Sequence, residues 1–160
     1  MEPNEPDAQC AQFERTIDAG IEPLIEVMEQ LESFCTASGV PEAVAVQLNL
    51  VLEELATNTI KYGYPAGKSG KIEICLTLHG GLASLTVADD GNEFDPTTSP
   101  APDVYRQLEE RAIGGLGIHL VMRMMDSVTY HRHGGKNIVT VSKNTRPANG
   151  LTSVTGERCE

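Results

Sequence analysis

Two oxygen-bearing side chains stand one helical turn apart in the stretch "LVLEELATNTIKYGYP". Glu54 and Asn58 are four residues apart, so on a helix they project from the same side, roughly 40° from each other around the axis. One interpretation is a solvated glutamate beside an asparagine that caps the helix end. The other is chemical, because magnesium takes oxygen ligands and one amide oxygen plus substrate phosphates completes its shell. A neighbouring glutamate is then placed to accept a proton from a hydroxyl or a water.

The stretch "ADDGNEFDP" ends an apolar run with two adjacent carboxylates and a glycine. A tight turn accounts for these residue types, because Asp and Gly tolerate the backbone angles of turns. Asp89 at a strand end can also accept a hydrogen bond from an exocyclic amino group, and Gly91 has no side chain to block a flat ring. Both interpretations stay open from the residues alone.

The stretch "GGLG" opens a helix further along the chain. Backbone N–H groups at a helix N-terminus bind anions such as phosphate, although glycine-rich helix starts serve tight packing about as often. No GK[ST] follows, and the neighbouring elements are hairpins, which excludes a P-loop and a dinucleotide-binding fingerprint. Each of the three signals is modest alone, but their order along the chain is specific.

The spacing of apolar residues predicts the elements that position these stretches. "CAQFERTIDA" reads as a strand, and helices are predicted over Ile21–Ala37 and about Pro41–Tyr62. "KIEICLTLHG" and "LASLTVADD" form a predicted antiparallel hairpin with its turn at Gly80 and Gly81. A helix in "GLGIHLVMRMMD" and a closing hairpin in "SVTYHRHGGKNIVTVSK" follow. This order predicts an α/β two-layer sandwich, with a mainly antiparallel or mixed sheet and helices on one face.

The length of 160 residues accommodates one ordinary domain with short tails. Residues 1–9 and 144–160 are polar and lack a sustained apolar period, so we expect flexible termini around a domain at 10–143. The stretch at about 92–113 interrupts the pattern with prolines and charges. A structureless stretch of this length inside a domain is usually functional or disordered, and we expect a mobile lid.

Charge and cysteine usage narrow the class of protein. Acidic residues outnumber basic ones, 23 to 12, so a nucleic-acid-binding role is disfavoured. Neither a signal peptide nor an apolar run of roughly 20 residues is present, which predicts a cytoplasmic protein with no membrane partner. The four cysteines lack CxxC spacing and nearby histidines, so reduced thiols are expected rather than a zinc site or disulfides.

The three stretches together resemble the motifs of the GHKL ATPase superfamily, shared by gyrase B, histidine kinases and MutL, which uses the Bergerat ATP-binding fold. "EELATNTIKYGYP" resembles its N box, "VADDGNEFDP" its G1 box, and "GGLGIHLVMRMMDSVTY" its G2 box with the following helix. Within the superfamily the likeness is to the anti-sigma factor serine kinases of the RsbW and SpoIIAB type. It extends over about residues 11–143.

The resemblance implies roles for individual residues. Glu54 is similar to the catalytic base, and Asn58 to the residue that ligates the magnesium bridging the ATP phosphates. Asp89 is similar to the residue that receives the adenine amino group, with Gly91 giving room to the base. The phosphate-binding end of the ATP lid is implied at Gly114, Gly115, Leu116, Gly117 and Ile118. Lys61 stands where a cation reaches phosphate, and a solvated lysine at a helix end is an equal alternative.

Some residues depart from the family pattern or invite a simpler interpretation. Tyr62 stands where the family often has His, and the offset of Arg111 from the glycines does not match the family. Asp90 is expected to be a solvated turn acid. For the methionines of the third helix we expect a core stripe rather than a partner surface; these are Met122, Met124 and Met125.

The resemblance also implies an activity. It describes a kinase that uses MgATP to phosphorylate a serine or threonine of a STAS-type anti-sigma antagonist, and so controls a sigma factor by partner switching; the family often forms homodimers. The alternatives are an ATP/ADP-binding partner switch without significant phosphoryl transfer and an interaction domain that has lost nucleotide. Glu54 favours the kinase over the partner switch. A negatively charged carboxylate near the γ-phosphate is unfavourable unless it accepts a proton during the reaction.

Overall fold

The computed structural model describes residues 10–98 and 117–146. Strands and helices follow one another in the predicted order. They are β1 (Ala11–Asp18), α1 (Ile21–Ala37), α2 (Glu42–Tyr62), β2 (Lys71–His79), β3 (Leu82–Asp89), α3 (Gly117–Met124), β4 (Ser127–His133) and β5 (Lys136–Asn144). None of the helices in these two ranges is long and apolar enough to cross a bilayer.

The strands form one open sheet in the order β1-β2-β3-β5-β4, and every neighbouring pair is antiparallel. The helices pack on one side of this sheet. The predicted two-layer α/β sandwich is therefore confirmed, and of the two sheet types that we expected, the described strands form the antiparallel one.

The core lies between the sheet and the helices because both layers carry matching apolar faces. In β2, alternate residues point inward and are buried; these are Ile72, Ile74, Leu76 and Leu78. In α2, Leu48 and Leu52 are fully buried in the same core, and in α1 so is Leu31. The third-helix methionines join this core, with Met125 buried and Met122 and Met124 packed against it.

Both hairpins turn through glycine pairs. Gly80 and Gly81 link β2 to β3, and Gly134 and Gly135 link β4 to β5; all four have positive φ, between 58° and 80°. Two-residue turns with positive φ at both central positions match the twist of the flanking strands, and glycine adopts that conformation without steric cost.

Strand register brings three polar residues into one row across the sheet. Asp89 at the end of β3 pairs with Asn137 near the start of β5, and Asn137 pairs with Arg132 of β4. The inward positions of β5 continue from Asn137 to Val139 and Val141. An amide therefore occupies the end of an otherwise apolar inward face, directly beside a carboxylate.

Candidate functional site

A cleft of about 190 Å³ lies where the end of α2 meets the ends of β3 and β5. Its apolar wall includes Leu55, Val87 and Val139, and two largely exposed rings, those of Tyr62 and Phe94, stand at its side. Polar side chains reach the same space from different parts of the chain. They belong to Asn58, Thr59, Asp89, Asn92, Glu93 and Asn137. An apolar cleft with a few convergent polar groups is typical of a small-molecule site.

Asp89 is held in the cleft by donors on both carboxylate oxygens. Its Oδ1 accepts from the Gly91 N–H at 2.9 Å and from Asn137 Nδ2 at 3.0 Å. Its Oδ2 lies 3.1 Å from the Thr59 hydroxyl, which is also 3.1 Å from the Leu55 carbonyl oxygen. One hydroxyl proton serves one of these acceptors at a time, so Oδ2 keeps capacity for a further donor. Asp89 therefore presents an acceptor to the cleft.

Asn137 is buried, at 4 % exposure, and connects the cleft to its surroundings. Its Nδ2 donates to Asp89 and, at 2.8 Å, to the Asn92 carbonyl oxygen. Its Oδ1 accepts from the Phe94 N–H, the Tyr130 hydroxyl and Arg132 Nη1. Both ends of the amide are thus occupied, which is what a buried polar group requires.

Glu54 combines partial burial with an unused acceptor. Its Oε2 is buried and has no hydrogen-bond partner among residues 10–98 and 117–146. Burial of the carboxyl raises the pKa of Glu54, the charge of Glu53 raises it further, and Lys61 opposes both. An acceptor with a raised pKa and no competing donor is suited to taking a proton.

The start of α3 covers Glu54. A Cβ placed on Gly117 would lie 1.8 Å from the carboxyl carbon of Glu54 and 2.1 Å from each of its oxygens. Only a residue without a side chain allows this approach while the carboxyl keeps its place. A packed glycine is thus one structural role of Gly117 beside the phosphate-binding role that the resemblance implies.

The remaining predicted site residues are placed as follows. Gly91 is buried, and a Cβ on it would lie 2.8 Å from the Gly63 carbonyl oxygen and 3.0 Å from Asp89 Oδ1, so a larger residue would disturb Asp89. Lys61 is exposed in the last turn of α2, and Ile118 is buried. Outside the described residues lie Gly114, Gly115, Leu116, Arg111, the lid from 99 to 113, and both predicted tails apart from 144–146.

Among residues 10–98 and 117–146, no group of three or more His, Cys, Asp or Glu side chains could hold a metal ion. Asn58 lines the cleft, and its amide oxygen is a ligand type that magnesium accepts together with phosphate oxygens and waters.

Asp90 is exposed at the turn after β3, as expected, but it has a structural task. Its Oδ1 accepts from the Tyr64 hydroxyl at 2.7 Å and from the Lys71 N–H at 3.0 Å. The Tyr64 hydrogen bond is the main reason that the pKa of Asp90 is lowered. The two adjacent carboxylates thus have different roles. Asp89 faces the cleft, and Asp90 links Tyr64, just after α2, to Lys71 at the start of β2.

Thr59 and Asn137 are the site residues that sequence reasoning missed. Thr59 directly follows Asn58, but its partner, Asp89, is 30 positions away. Asn137 carried a usable signal, because it is in phase with Val139 and Val141 on the inward face of β5. A residue type disfavoured in strands, at a core-facing position, indicates a buried polar contact.

Comparison with known proteins shows the family to which the chain belongs. Residues 17–143 match the family model described as the histidine kinase-like ATPase domain. The chain is 29 % identical over 100 residues to the serine/threonine-protein kinase BtrW of Bordetella bronchiseptica, covering 62 % of this chain and 70 % of that one. It is 33 % identical over 100 residues to the serine-protein kinase RsbW of Bacillus subtilis, covering 57 % of this chain and 59 % of RsbW.

A solved structure shares the fold. The crystal structure of the RsbU and RsbW domains of Rv1364c from Mycobacterium tuberculosis superimposes with a TM-score of 0.60 and 19 % identity, covering 89 % of this chain and 35 % of that protein. The resemblance read from the three motifs is thereby confirmed.

Proposed function

Because the chain belongs to the histidine kinase-like ATPase domain family, we propose that it is an ATP-dependent serine/threonine protein kinase that acts as an anti-sigma factor. The relatives described above are named as serine or serine/threonine kinases, which supports phosphoryl transfer as the reaction. The proposal goes further than those names in assigning residues, a substrate class and partners to this chain.

Glu54 carries the proposal. A module that only bound nucleotide would gain nothing from a carboxylate whose oxygen is buried without a donor and whose pKa is raised. Phosphoryl transfer to a hydroxyl needs a group that accepts the hydroxyl proton. In the proposed reaction Glu54 accepts that proton while the γ-phosphoryl passes from ATP to the hydroxyl oxygen and ADP leaves.

Nucleotide binding is assigned to further residues, of which Asn58 and Asp89 line the cleft. Asp89 offers its free acceptor capacity to the adenine amino group, and Gly91 beneath it leaves the carboxylate in place. Asn58 would hold magnesium, which, when bound, neutralises charge on the phosphates. Lys61, Gly114, Gly115, Leu116, Gly117 and Ile118 remain proposed phosphate-binding residues.

The proposed partners follow from the kind of kinase. The phosphate acceptor is a STAS-type anti-sigma antagonist, and the partner released or sequestered in exchange is a sigma factor. We also propose a cytoplasmic location and a homodimer, in keeping with the family.

The test is transfer from γ-labelled ATP with magnesium into a soluble extract of the source cells, comparing wild type with Glu54→Gln. Wild type should label one small protein, and Glu54→Gln should not, although it still binds ADP. Glu26→Gln is the matched control, since Glu26 is an exposed glutamate on the neighbouring helix α1. Its labelling should equal that of wild type.

Two outcomes contradict the proposal. Undiminished labelling by Glu54→Gln would remove Glu54 as the base. No labelling by any variant, together with MgATP binding that Asn58→Ala abolishes, would favour the nucleotide-dependent partner switch instead.

A further inference from the structure

The polar row across β3, β5 and β4 has a consequence for ligand choice. Asn137 lies between Asp89 on one neighbouring strand and Arg132 on the other. Its amide donates to Asp89 Oδ1 at 3.0 Å and accepts from Arg132 Nη1 at 2.9 Å. Arg132 also donates to the Gly91 carbonyl oxygen at 3.3 Å, so both ends of the row are joined to the turn after β3.

The amide of Asn137 has a single workable orientation. Its Nδ2 faces two acceptors, Asp89 Oδ1 and the Asn92 carbonyl oxygen. Its Oδ1 faces three donors, from Phe94, Tyr130 and Arg132. A flipped amide would point oxygen at two acceptors and N–H groups at three donors, one of them cationic. Because the residue is buried, water would not repair those losses.

This fixed amide also fixes Asp89. With Gly91 and Asn137 both donating to Oδ1, rotation of the carboxylate would give up two hydrogen bonds at once. Oδ2 is thereby the oxygen that retains acceptor capacity toward the cleft. A purine with a 6-amino group can donate to it, whereas a purine with a 6-oxo group presents an acceptor to an acceptor.

We propose that Asn137 is a positioning residue for nucleobase selection: its amide holds Asp89 as an oriented acceptor and ties that carboxylate to the Asn92–Phe94 stretch. The inference rests on the proposed function, since it requires that a nucleotide base meets Asp89. If Asn137 positions Asp89 in this way, the preference for a 6-amino purine depends on the hydrogen bond that Asn137 donates to Asp89 from the neighbouring strand.

The sharpest variant is Asn137→Asp, which keeps the shape of the side chain. In its ionised form, which Arg132 favours, the new carboxylate still accepts from Phe94, Tyr130 and Arg132, but it has no proton to donate to Asp89 or to the Asn92 carbonyl oxygen. Asn144→Asp is the matched control, because it makes the same chemical change at an exposed position at the end of the same strand.

Calorimetric titrations with ADP and with inosine diphosphate, each with magnesium, measure the preference as a ratio of dissociation constants. We expect wild type and Asn144→Asp to bind ADP at least about tenfold tighter, and Asn137→Asp to lose most of that ratio. An unchanged ratio in Asn137→Asp would overturn the inference while leaving nucleotide binding intact. Failure of wild type to bind ADP would overturn the proposed function and the inference with it.

A second measurement needs no nucleotide and keeps the test sharp if Asn137→Asp folds poorly. In Asn137→Ala the Phe94 N–H loses its acceptor, so its hydrogen exchange should accelerate at least about tenfold, as should that of Gly91 when Asp89 is released. Amides in the β2 strand should keep wild-type protection. Unchanged exchange at Phe94 and Gly91 would show that Asn137 positions neither residue.

Discussion

Replacing Gly117 by alanine tests whether the position of the Glu54 carboxylate governs phosphoryl transfer. The added Cβ would lie 1.8 Å from the carboxyl carbon, and ordinary contact begins at 3.4 Å. The carboxyl group must therefore retreat by about 1.6 Å, or α3 must shift by a similar amount, and a misplacement of about 1 Å can cost on the order of 100-fold in rate.

We expect Gly117→Ala to lower phosphoryl transfer by about 100-fold while the fold survives. The fold survives because the displaced group is the end of a flexible side chain. Initial rates of labelling, the dissociation constant for ADP and the melting temperature together separate loss of catalysis from loss of binding or folding.

Gly20→Ala is the matched control, since a Cβ there would meet its nearest neighbour, Pro23, at an ordinary 3.4 Å. Gly20 also stands at the start of a helix. The Gly20→Ala variant should transfer phosphate at the wild-type rate. The reasoning is refuted if Gly117→Ala retains transfer within about threefold of wild type at an unchanged melting temperature, because a 1.6 Å displacement of the base would then be harmless.

Three further outcomes follow from burial and ionisation. The raised pKa means that the folded state holds the Glu54 proton at pH values where the unfolded chain has released it. The contribution of this group to the free energy of unfolding therefore falls as pH rises from 4.5 through the raised pKa. The melting temperature of Glu54→Gln, measured relative to that of wild type, should rise across that pH range. Tyr64→Phe removes the main cause of the lowered Asp90 pKa, so at pH 7 it should lower the free energy of unfolding by roughly 0.5–1 kcal/mol in urea titrations. That loss should shrink as pH falls below 3.8, because the contribution of a lowered carboxyl pKa disappears on protonation. Cys35 is fully buried and burial raises its pKa to about 11, so at pH 8 mass spectrometry should find iodoacetamide on exposed Cys10 long before Cys35; equal labelling in native protein would contradict this.

The elements were predictable because their signals are local. Alternation in "KIEICLTLHG" and helical spacing in Ile21–Ala37 each report the face that a residue turns to the core. The glycine pairs of the two hairpins are equally local, since a two-residue turn needs positive φ at those positions and nowhere else. The predicted elements agree best with the structure where the spacing of apolar residues and the residue types of the turns predict the same element.

The site was predictable only in part because it depends on contacts between distant residues. Asn58 and Asp89 both line the cleft, and each stands in a stretch whose residue types already indicated chemistry. Asn137 meets Asp89 across 48 positions through the pairing of β3 with β5, and no pattern within β5 specifies that alignment. Helical spacing indicated that Glu54 and Asn58 project from the same side of α2, but only the packing of α3 identifies Gly117 as the residue that covers Glu54.

The pairing of Asp89 with Asn137 depends on which alternate positions of β3 and β5 face the helices. If one residue were inserted between Asn137 and Val139 while Val139 and Val141 stayed in the core, the amide would move to the opposite face of the sheet and the inserted residue would take its place beside Asp89. The β5 strand can therefore change length at that point only by steps that preserve its parity.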